Sequence, residues 1–183
     1  MRVVKKGTQR RGGQEAAKKI ALLGILGAQA LALSFLEGLL PPLLVLPPGA
    51  KPGLSNIITM FTAMQFGFPE AMAITLLKAA FAGLTRGLTA GCMSLSGGLL
   101  STAALCLLLR MKRKPFGLSG VSVLCALSHN AGQLCVYAAL AGTVGIFYMA
   151  PVLLLFSVVT GLVTGLLLKA LTPVLNRQKN LFQ

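Results

Sequence analysis

The chain contains no aspartate and no tryptophan, and its only acids are Glu15, Glu37 and Glu70. Against these stand 17 lysines and arginines, giving a net charge of +14 over 183 residues. A water-soluble surface carries charges of both signs, so this balance, with 55% hydrophobic residues, excludes an ordinary soluble domain and indicates an integral membrane protein. The same scarcity excludes chemistry that gathers carboxylates around Mg²⁺ or pairs two acids for proton transfer. One histidine and four cysteines (Cys92, Cys106, Cys125 and Cys135) without CxxC spacing form no metal-ligand pattern, and the cysteines read as small core residues. No Walker loop or dinucleotide fingerprint is present. No catalytic residue, metal or cofactor is expected, and binding and transport lead the function classes.

What the chain does have is long uncharged runs, at residues 20–36, 52–69, 87–109 and 115–168. A helix needs about 20 apolar residues to cross a bilayer, so the last run holds two crossings. Six helices are predicted, at about 18–38, 54–67, 70–88, 95–111, 118–141 and 147–172, in an all-α membrane domain spanning 18–172 between a basic arm (1–17) and a tail (173–183). The second is short and polar at its start, so it must be covered by its neighbours or fail to span. Six crossings place the arm (Arg2, Lys5, Lys6, Arg10, Arg11, Lys18, Lys19), the loop with Arg110, Lys112, Arg113 and Lys114, and the tail with Arg177 and Lys179 on one side. By the positive-inside rule that side is the cytoplasm, with both termini there in a multi-pass plasma-membrane protein. The basic residues flank apolar spans without an aromatic platform, which points to anionic lipid headgroups and away from nucleic acid. Ala28-Gln29-Ala30 imitates a signal-peptide cleavage site, but the apolar run continues to Leu36 and reads as a retained helix.

Several segments carry candidate binding residues. Five prolines between Pro41 and Pro52 forbid regular structure, making a defined apolar loop that either caps an outer cavity, with Lys51 as a contact, or simply connects. Ser55 and Asn56 follow in capping positions, where free N–H groups favour an anion or where Asn56 only caps the helix. In the third helix Glu70, Lys78 and Arg86 are separated by multiples of four and drift slowly around one face. A charge near the bilayer centre costs about 3 kcal/mol or more, so Lys78 must face carbonyls, Glu37 or Glu70 across the bundle, or a bound anion. Arg86 is placed to snorkel to the outer interface. The segment from Gly87 to Gly98 is rich in glycine and hydroxyls, suited to close approach by a ligand or a helix. In the fifth helix Ser122, Ala126, His129, Asn130, Gln133 and Tyr137 form one polar stripe that should turn inward. Small residues line the first helix at Ala17, Ala21, Gly24, Ala28 and Ala32, and the sixth carries Gly161-x-x-x-Gly165. Such rows permit close helix contacts, within the chain or with a partner.

The stretches Pro52 to Ile57, Arg86-Gly87-Leu88 through Ser94-Leu95-Ser96-Gly97-Gly98, and Gly120-Val121-Ser122 through His129-Asn130-Ala131-Gly132-Gln133 resemble the Gx transporter family, also catalogued as heptaprenyl diphosphate synthase component I. The resemblance covers about residues 18–172. It implies a six-helix fold similar to the substrate-binding S components of energy-coupling factor (ECF) transporters. In those, the outer loop gates the site and small residues of the first helix meet a transmembrane coupling subunit, here Ala21, Gly24, Ala28 and Ala32. The first expectation is an uptake subunit that binds a small anionic or amphipathic solute through Lys51, Asn56, Lys78, Arg86, His129, Asn130 and Gln133, powered by separate coupling and ATPase subunits. The second is a non-catalytic membrane accessory in isoprenoid or quinone metabolism, or in a redox complex. A prenyl diphosphate, flavin or quinone head then fills the same cavity. The synthase name conflicts with the residues, because prenyl chain elongation uses aspartate-rich motifs and this chain has no aspartate.

Overall fold

A computed structural model describes residues 3–39, 53–111 and 117–181, with side chains from residue 13 onward. Lys51, most of the proline-rich loop, and Lys112, Arg113 and Lys114 lie outside the described residues. The fold is all-α: α1 (Val3–Leu39), α2 (Leu54–Gln65), α3 (Phe68–Arg86), α4 (Leu88–Arg110), α5 (Leu118–Ala141), a 3₁₀ turn (Gly145–Met149) and α6 (Ala150–Leu181). Every helix except α2 contributes a segment long and apolar enough to cross a membrane.

α3, α4, α5 and α6 pack each against the next. Glycine lets their backbones meet. A Cβ at Gly91 would sit 2.9 Å from the Cα of Gly83, one at Gly161 2.5 Å from the Cα of Val123, and one at Gly165 2.8 Å from the Cα of Ser119. The Gly161/Gly165 row therefore serves packing of α6 on α5 within the chain. The glycine-rich segment after Arg86 is helical from Leu88, earlier than the predicted start at 95, and its glycines are spent on neighbouring helices. Gly87 alone separates α3 from α4; its φ of 92° permits a reversal that a side chain would strain.

α1 and α3 run parallel, since Lys19, midway along α1, bonds Glu70 at the start of α3, and Gly38 near the end of α1 lies beside the side chain of Arg86 at the end of α3. The chain between them therefore returns across the bundle, as an even number of crossings requires. α2 supplies the described part of that return, but its 12 residues reach only about 18 Å, against about 30 Å of hydrocarbon. It is buried instead: it packs on α1, α3, α4 and α6, and Ile57, Ile58, Met60 and Phe61 join Leu22, Leu26, Leu105 and Leu168 in the core. Its far end is held by Lys179, which donates to Gln65 and lies over the Phe66 ring. α6 runs unbroken through Pro173 to reach that contact, past the predicted end at 172.

Two surface features complete the picture. Ala17, Ala21, Gly24, Ala28 and Ala32 all face outward from the bundle, and Gly24 has no atom within 4 Å of where a Cβ would be. Of the cysteines, only Cys125 lies in the hydrophobic core; Cys135 is exposed on the outer face of α5, against the expectation of four core residues.

Candidate functional site

Gly53 opens α2 with φ 78°, in the left-handed region, and a Cβ there would lie 3.7 Å from the Thr164 hydroxyl. Thr164 stands 14 residues into α6, roughly 21 Å along it. α2 thus begins deep in the bundle, and its first turn forms a wall of a cavity of about 100 Å³. That space exceeds the few tens of Å³ needed for one water and suits a small polar head.

Six of the predicted binding residues, Asn56, Lys78, Arg86, His129, Asn130 and Gln133, line this one cavity. α3 supplies the cations. Lys78 is only 7% exposed and donates to Asn56 Oδ1 at 2.7 Å. Arg86, at the end of α3, remains exposed while its side chain runs along Gly38 and into the cavity lining. α5 supplies the amides: of its stripe Ser122, Asn130 and Gln133 are buried, Ala126 and His129 also line the cavity, and Tyr137 is half-buried outside the lining. Gln133 Nε2 lies 3.0 Å from His129 Nε2, one helical turn apart, and Asn130 Nδ2 donates to Ser157 Oγ on α6 at 2.6 Å.

The acid of the site is Glu37, which the sequence suggested only as one of several partners for Lys78. It is 5% exposed, and it accepts from the backbone N–H and the hydroxyl of Ser55, both at 3.1 Å. The anion at the α2 N-terminus is therefore the protein's own carboxylate. Asn56 makes no side-chain cap and instead accepts from Lys78, which corrects the capping alternative. Glu70 is bound to Lys19 at the opposite end of α3, so it does not serve Lys78. Glu37 shares the cavity with Lys78, but no ion pair within 4 Å joins these two described residues. Lys78 has three hydrogens to give and one fixed acceptor, Asn56.

Sequence reasoning missed Thr160 and Thr164, which line the α6 side. Their four-residue spacing in an apolar helix was the available signal. It was masked because threonine hydroxyls often bond their own helix, as Thr160 does to the Phe156 carbonyl. No group of three His, Cys, Asp or Glu residues suited to a metal occurs among the described residues.

The geometry gathers buried positive charge, amides and hydroxyls around a small cavity in a multi-pass helical bundle. No curated protein and no solved structure matches the chain significantly. The family described as heptaprenyl diphosphate synthase component I matches residues 26–171, most of the chain, and this protein belongs to that family.

Proposed function

We propose that the protein is the membrane-embedded, substrate-binding subunit of an ECF-type uptake transporter, without enzymatic activity of its own. The carrying observation is the convergence of Lys78, Arg86, Asn56, Asn130, Gln133 and His129 on one cavity. A buried ammonium with donors to spare, beside a guanidinium, favours a small solute with an anionic head. The outward row Ala21, Gly24, Ala28 and Ala32 is the surface offered to a transmembrane coupling subunit, through which ATPase subunits drive transport. The basic arm and tail then lie on the cytoplasmic side of the plasma membrane, against anionic lipids.

The family description favours a second reading, in which the same cavity holds the head of a prenyl diphosphate or quinone and the chain partners a separate synthase component. With no aspartate to hold Mg²⁺, the chain itself would act only as the membrane partner. Affinity purification of the full chain from its own membranes separates the two. Recovery of ATPases with a coupling subunit supports uptake; recovery of a soluble prenyltransferase supports the accessory role and overturns uptake.

A further inference from the structure

The hydrogen-bond network fixes the orientation of two amides in the cavity, and with them the chemistry of its walls. Ser157 Oγ donates its single hydrogen to the Leu153 carbonyl at 2.6 Å, so toward Asn130 it only accepts. Asn130 must therefore turn its NH₂ to Ser157. Its Oδ1, an acceptor, is left without a hydrogen-bond partner among the described residues, on a side chain that is 7% exposed and lines the cavity. Lys78 has only hydrogens to give, so Asn56 must present Oδ1 to it, and its own NH₂ meets no acceptor among the described residues. The α2–α3 side thus offers donors and positive charge. The α5 side, which packs on α4 and α6, offers an unanswered acceptor.

Charge sets a second limit. The described lining holds two cations, Lys78 and Arg86, and one carboxylate, Glu37, whose two oxygens are already bonded to Ser55. Among the described lining residues one positive charge is left over, shared between the buried Lys78 and the exposed Arg86. A solute with one negative charge neutralises it, whereas a diphosphate brings an excess that no Mg²⁺-binding acid cluster among the described residues would offset.

We infer that the solute is a small monoanion, its charged group a carboxylate or a phosphodiester, that carries a hydroxyl or N–H donor at a distance from that group. This rests on the proposed binding role and narrows it: the anionic group meets Lys78 and Arg86, and the donor meets Asn130 Oδ1. It also separates the two readings of the family, because a prenyl diphosphate has the wrong charge and no such donor.

The test is calorimetric binding to the full chain in neutral-lipid nanodiscs, with 4-hydroxybutyrate, butyrate, succinate and inorganic diphosphate as probes. A parallel arm adds phosphatidylglycerol to the disc to compete as a lipid phosphodiester. The expected order is 4-hydroxybutyrate about fivefold tighter than butyrate, for one hydrogen bond, and at least about tenfold tighter than succinate or diphosphate, for the charge mismatch. Loss of 4-hydroxybutyrate binding on adding phosphatidylglycerol assigns the monoanion to a lipid headgroup; persistence assigns it to a soluble carboxylate. In Asn130→Leu the distinction between 4-hydroxybutyrate and butyrate disappears while the preference over succinate stays. Should that variant fail to fold, the ratio of the two probes in the unsubstituted chain decides alone. Glu37→Gln, which leaves two uncompensated cations, moves the preference to succinate. Tighter binding of succinate or diphosphate by the unsubstituted chain overturns the monoanion inference and leaves anion recognition standing. If none of the four probes binds and phosphatidylglycerol releases no heat, the anion-binding role falls with it.

Discussion

The two halves of the bundle are held together by different means. From α3 to α6, neighbouring helices touch backbone to backbone at Gly91, Gly161 and Gly165, with little space to give. α1 and α2 are joined to each other by Glu37 and Ser55, and to the rest by the apolar core around Phe61 and by the polar links Gln29 to Gln178, Lys19 to Glu70 and Lys179 to Gln65. Close-packed backbones resist movement because any shift meets a steep repulsive wall, whereas long polar side chains can change partners at small cost. The cavity lies at the seam, with its cations on α3 and its acid and first helical turn on α1 and α2. The difference lies in what meets at each boundary: backbone against backbone on the amide wall, side chain against side chain where α1 and α2 meet the rest.

The sharpest way to break this contrast is a matched pair of glycine substitutions. Gly161→Leu drives a side chain into the Val123 backbone and is expected to cost about 3 kcal/mol or more, read as a collapse of the melting temperature in detergent. Gly24→Leu, on the open face of α1, is expected to leave melting unchanged. Equal losses in both would remove the distinction between the halves. Next in size is Lys78→Met, which removes the buried ammonium while keeping its stem. Anion affinity should fall about tenfold to a hundredfold, with stability held or improved because a costly buried charge is gone. Unaltered affinity in calorimetry would show that the cation is not a ligand contact.

Glu37→Ala strips the Ser55 N–H of its acceptor and should destabilise by about 1–2 kcal/mol, with faster amide exchange confined to the first turn of α2. Protection lost evenly across α3 to α6 would contradict a locally loosened seam. The smallest effect belongs to Lys19→Ala, whose ion pair with Glu70 is half exposed on the lysine side. About 0–1 kcal/mol is expected, and the difference from the unsubstituted chain should vanish in high salt.

Much of this arrangement was legible in the sequence. A charge as costly as Lys78 in an apolar helix, and a stripe as long as Ser122 to Gln133, have few places to go but inward, so they met in one cavity. The shortness of α2 also followed from the gap between Pro52 and Pro69, and burial by its neighbours followed from that shortness. Glu37 was harder to place, because nothing local reveals that a carboxylate at the end of one helix will close the N-terminus of the next, 18 residues on. The continuation of α6 past Pro173 was hidden for another reason. Proline removes one helical hydrogen bond, and only the docking of Lys179 on Gln65 and Phe66 gives the helix reason to carry on.

That docking makes the polar tail more than an appendage. Hydropathy suggests trimming the chain at about residue 173, as one would to sharpen a crystal or attach a reporter. Such a cut would take away the clasp on the far end of α2, which among the described helices is the short one enclosed by its neighbours. A shortened version would then be expected to misreport the site some distance away, although none of the described residues removed lines it.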